Sequence, residues 1–103
     1  DLAKDQLTHA AFSKNLNSKF CIHLGNEKEM DIELSEISEH MISDRQERFS
    51  VFFRGPLDSF VPQGTYRFEH EKMGTFDLFI VPVGKSILGF LYEGVFNNLR
   101  HSS

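Results

Sequence analysis

One cysteine, Cys21, among 103 residues cannot close an internal disulfide. Nothing in the chain therefore marks an oxidising compartment. No apolar run approaches the roughly 18 residues of a spanning helix, and no segment has the layout of a signal peptide. No membrane is expected as a partner. Positive charge is in deficit: 11 Lys and Arg face 15 Asp and Glu, a formal net charge of −4. A dedicated nucleic-acid binder would usually carry a basic stripe, so no nucleic-acid partner is expected either.

Patterns that carry chemistry are missing too. The chain has no Gly-x-Gly-x-x-Gly run, no phosphate loop, no Gly-x-Ser-x-Gly elbow and no His-x-x-x-His pair. The expectation is no cofactor, no metal and no enzymatic activity. Groups brought together only by folding stay open, since a triad is recognised by geometry rather than order.

What is present is phenylalanine. The stretch from Phe49 to Phe96 holds nine of the eleven, and it reads as four strands with turn chemistry between them. Phe49, Val51 and Phe53 share one face of the first, with Phe52 on the other. Tyr66 and Phe68 alternate with Arg67 and Glu69 in the second. Phe76, Leu78 and Ile80 line the third, with Phe79 and Val81 opposite and Pro82 at its end or at an edge. Gly84 to Gly89 reads as a turn, after which Phe90, Tyr92 and Phe96 continue the pattern. The short connections between the last three strands imply antiparallel hairpins.

The first half completes the same core. Thr8 suits an N-cap, and Leu7 and Phe12 are spaced for a hydrophobic staple. A helix of about eight residues should follow, with Phe12 and Leu16 on one face and Asn15 and Asn17 at its end. Phe20, Ile22 and Leu24 then alternate, Gly25-Asn26 breaks the run, and Met30, Ile32 and Leu34 begin a second strand. Ile37 breaks that strand's parity, which predicts a nearby bulge. Residues 27–39 carry six acids against one lysine, read as the solvated face of an antiparallel pair. Residues 40–48 read as a polar connection.

The fold class that follows is mainly β (α+β). About six antiparallel strands form a curled sheet or small barrel-like roll with one short N-terminal helix. Residues 1–103 make one domain, with 1–6 and 98–103 as loose termini. The chain begins at Asp1 rather than at a methionine, which leaves open a segment removed before it.

Three places could carry function. Cys21 and His23 project from one face of a strand, but zinc asks for about four such ligands, so a surface thiol and a solvated histidine are expected. His70 lies between Glu69 and Glu71. Without a neighbouring nucleophile it reads as a hairpin-end histidine in solvent rather than a general base. The connection from Gly55 to Gly64 holds Pro56 and Pro62 and, between them, Leu57, Phe60 and Val61. These three either fold back to plug the sheet or form a partner-contact loop.

At these residues the chain resembles a small bacterial domain family of unknown function, about one hundred residues long. The resemblance rests on Leu7-Thr8 with Phe12, on Phe20, and on Phe49-Ser50-Val51-Phe52-Phe53-Arg54-Gly55-Pro56. It continues through the segment from Pro62 to His70, Met73-Gly74, Leu78-Phe79-Ile80-Val81-Pro82-Val83-Gly84, Tyr92-Glu93 and Val95-Phe96-Asn97. The chain departs from the pattern at Asn15-Leu16-Asn17-Ser18, where a glycine is expected. The resemblance implies proteins encoded near phage-tail-collar-like proteins and so an accessory or structural role. It brings no catalytic residues.

The expected function is a non-enzymatic protein-interaction or structural accessory module, cytoplasmic or part of a tail-like assembly. Its protein partner and oligomeric state stay open. A small barrel binding an apolar ligand is the alternative, and an enzyme comes last.

Overall fold

The computed structural model describes residues 7–38, 41–43 and 46–99. Helix α1 (His9–Lys14) is followed by strands β1 (Lys19–Gly25), β2 (Lys28–Ile37), β3 (Met41–Ile42), β4 (Gln46–Gly55), β5 (Gly64–His70), β6 (Gly74–Ser86) and β7 (Gly89–Leu99). The sheet runs β2-β1-β5-β6-β7-β4-β3, and β2 also pairs with β4. That extra pairing closes six antiparallel strands into a barrel, while β3 extends the partner of β4 beyond it. Closure removes the exposed edges that an open sheet of this size would carry.

Alternation decides what fills the interior. Phe20 and Ile22, Ile32 and Leu34, Val51 and Phe53, Leu78 and Ile80 all turn inward and are buried. Phe53 meets Phe20 at 5.2 Å and Phe68 at 5.0 Å between ring centroids, so the centre is occupied by the barrel's own side chains. The parity break near Ile37 is a register shift between Leu34 and Glu36, which turns Ile37 back against the core.

Each end has its own plug. At one end Thr8 caps α1, its hydroxyl accepting from the Ala11 N–H at 3.1 Å. The helix places Phe12, fully buried, 5.1 Å from Phe96 and 6.0 Å from Phe49. At the other end the 56–63 connection folds Val61 inward, and its N–H donates to the Tyr92 hydroxyl at 2.9 Å.

Several expectations need correction. The helix has six residues, and Leu16 lies beyond it and exposed, because Asn15 already caps the C-terminus. The polar stretch 40–48 contributes to pairing: Met41 and Ile42 lie opposite Arg48 and Glu47. Asn98 and Leu99 belong to β7, opposite Glu47 and Gln46, whereas 1–6 and 100–103 lie outside the described residues. The ladder passes Pro82 and runs to Ser86, leaving a turn of only Ile87-Leu88, because β7 carries β6 past the end of β5. The missing glycine after α1 is replaced by Asn17, which takes a left-handed φ of 69°. Asparagine tolerates that region better than most residues.

Candidate functional site

The described surface offers three places with chemical content. The first is the end of the barrel opposite α1. β5 pairs with β6 only as far as Gly64↔Ile80, yet β6 and β7 stay paired out to Ser86↔Gly89. The hairpin therefore outruns β5, but β4 stays beside β7 to Gly55↔Phe90, so only the Ile87-Leu88 turn stands beyond the paired wall. At its tip the Ser86 hydroxyl accepts from the Leu88 N–H at 3.0 Å, and Ile87 and Leu88 are 93% and 68% exposed. At its base Phe60 packs edge-on to Phe90 at 5.2 Å, and the Lys85 ammonium lies 5.5 Å from the Phe90 ring centre. Of the three loop residues singled out by sequence, Leu57 and Phe60 (54% exposed) present themselves to solvent, and Val61 (1%) is core. The hairpin tip was missed. Its signal was Ile87-Leu88, two large apolar residues inside a stretch otherwise read as a turn.

The second place is His70. It is buried, 8% exposed, with its ring 4.3 Å from that of Phe20, not a solvent-facing hairpin end. Its Nδ1 accepts from the backbone N–H groups of Lys72 at 3.0 Å and Met73 at 3.2 Å. A nitrogen accepting twice carries no proton, so Nε2 is the protonated one. Nε2–H then donates to the Ser18 hydroxyl at 2.8 Å, and Ser18 donates onward to the Asn15 carbonyl. This polarity is the reverse of what a serine nucleophile needs from a histidine base. The arrangement ties the end of α1 to the β5–β6 turn. Burial, with a smaller push from Lys72, holds the imidazole below its ordinary pKa against the opposing pull of Glu71.

The third place is the outer face of β1. Cys21 lies opposite Asp31 on β2 and Glu69 on β5; His23 lies opposite Glu29 and Arg67. His23 Nδ1 is 3.5 Å from Glu29 Oε2, and His23 Nε2 hydrogen-bonds to Glu69 Oε1. Ligand atoms of Cys21, His23 and Glu29 all fall within 4.8 Å of one another. Partial burial pushes the Cys21 thiol pKa up, and the charges of Glu29, Glu69 and Asp31 push it further, so the thiol stays protonated. Spacing along β1 alone showed two ligands on a strand, whereas the barrel's register supplies carboxylates from both sides. Cys21, Asp31 and Glu69 also border an open depression of about 650 Å³ that Lys14, Lys19 and Lys72 line as well.

A closed six-stranded antiparallel barrel, plugged by a short helix at one end and a loop at the other, is the class of domain these observations define. The chain belongs to a family described as Domain of unknown function (DUF6916), whose profile matches residues 7–96. No curated protein and no solved structure matches it.

Proposed function

We propose that this domain is a non-enzymatic interaction module that seats its apolar tip in a groove on a neighbouring protein. The observation that carries this reading is the exposed β6–β7 turn of Ile87 and Leu88, with Phe60 against Phe90 behind it and Leu57 exposed on the connection that carries Phe60. Apolar side chains gathered on a protrusion bring no benefit in water, and such surfaces mark contact sites. A convex tip calls for a concave partner. The edge of β6 is a poorer candidate for strand addition, because Pro82 and the register shift before Gly84 interrupt it. Ligand binding inside the barrel is disfavoured, since phenylalanine rings in contact occupy the interior. An accessory place in a phage-tail-like assembly is the setting this reading takes, and the family resemblance alone supports it.

The test is photo-cross-linking in the cells that make the protein. A photoreactive residue at position 87 should give one discrete heavier product, and the same residue at exposed Arg48, towards the α1 end, should give none. Combining Ile87→Asp with Leu88→Asp should remove association and leave the unfolding curve in place. A product of twice the chain's mass would reassign the tip to self-association; no product from position 87 would defeat the proposal.

A further inference from the structure

We propose that Cys21 Sγ, His23 Nδ1 and the Glu29 carboxylate form a binding site for a zinc-like divalent cation, with Glu69 as the positioning residue behind His23. Three donor types converge from two strands, with ligand atoms within 4.8 Å of one another. Tetrahedral zinc with bonds of about 2.0–2.3 Å places neighbouring donors about 3.3–3.8 Å apart. His23 Nδ1 and Glu29 Oε2, at 3.5 Å, already have that separation. Glu29 is exposed on its strand, so rotation about its side chain can bring the set together without moving the barrel.

A second feature separates this cluster from an ordinary surface ion pair. The carboxylate of Glu69 takes the hydrogen bond at His23 Nε2, which fixes the ring with Nδ1 turned towards Glu29. A histidine held by a carboxylate at one ring nitrogen, with the other turned towards the cation, is the arrangement by which metal ligands are oriented. Thiolate, imidazole and carboxylate together suit zinc or cobalt; calcium asks for six or more oxygens and gains nothing from sulfur. The fourth position falls to water or to Asp31, which lies opposite Cys21.

Binding breaks the Cys21 S–H bond, forms a sulfur–metal bond and passes one proton to solvent. The carboxylates of Glu29, Asp31 and Glu69, which surround Cys21 and His23, also attract the dication.

Cobalt(II) added to the reduced protein tests this. Expected are one bound equivalent, a thiolate-to-cobalt charge-transfer band in the near ultraviolet, and displacement of the cobalt by zinc. Cys21→Ser should abolish the band, His23→Ala and Glu29→Gln should weaken binding, and Glu69→Gln should keep the band while lowering affinity by about 10–100-fold. Should Cys21→Ser fold poorly, the nitrogen-15 resonance of His23 Nδ1 in the unmodified protein decides, since zinc must shift it. Absence of a band, a band surviving in Cys21→Ser, or affinity untouched by both His23→Ala and Glu29→Gln would overturn the proposal.

Discussion

His70 shows how a single side chain can be read correctly as to chemistry and wrongly as to place. Its sequence neighbours Glu69 and Glu71 suggested solvent, but alternation along β5 turns position 70 inward with Phe68. Its folded pKa is depressed, so the unfolded chain takes up a proton first as pH falls. The stability His70 supports is complete above the ordinary value of 6.5 and is lost as pH drops below it, through the folded pKa. Urea midpoints between neutral pH and acid should fall more steeply for the wild type than for His70→Gln. A parallel fall would assign the acid sensitivity elsewhere. At the other end, Tyr92→Phe removes the acceptor of the Val61 N–H and should cost about 1–3 kcal/mol by denaturant titration. Gly89 is demanding in a different way: with φ at 137°, a Cβ would lie 2.3 Å from the Gly55 carbonyl oxygen, so alanine there strains the contact between the β6–β7 turn and the end of β4.

Elements were legible where a local pattern sets them. The Thr8 cap, the β1–β2 turn at Gly25-Asn26 and the inward faces of β5 and β6 all follow from spacing of a few residues. Phe12 then makes a firm prediction: Phe12→Ala should destabilise by about 3–5 kcal/mol, seen as a lowered melting temperature, because a wholly buried ring is lost from between Phe49 and Phe96. The length of β6 was not legible. Gly84 resembles a turn residue, and only pairing with Leu91 on β7 keeps it in a strand. The grouping of Cys21, His23 and Glu29 was half legible, since a tight turn at Gly25-Asn26 places Glu29 opposite His23. Glu69 was not, because it enters from β5, 46 residues away. On β2, removing the charge of Glu27 or Glu33 should change stability by less than about 0.5 kcal/mol, and calcium should leave the melting temperature unmoved.

For the molecule as a whole, closure rests on pairing between β2 and β4, Leu34 opposite Phe53 and Ile37 opposite Val51. No periodicity within either strand reveals that partnership; an excess of inward rings and short connections suggested a curled sheet or small barrel-like roll without saying which strands meet to close it. Closure should also divide the molecule dynamically. Amides of Ile22, Phe53 and Phe68, paired within the barrel wall, should exchange with deuterium only through global unfolding. Those from Lys85 to Leu88, at the end of β6 that has no β5 beside it and in the turn, should exchange through local opening. Equal protection in the two groups, measured by hydrogen exchange with NMR, would show that the hairpin is held as firmly as the wall.

The polarity of the strands fixes one more property. Leu7 is buried beside the helical plug, and Leu99 lies opposite Gln46, where β4 begins at that same end. The first and last described residues thus leave from one pole, and Ile87 and Leu88 mark the other. Anchored to a bead, a sensor chip or a neighbouring polypeptide through either terminus, the domain would stand upright, with its greasy fingertip farthest from the support.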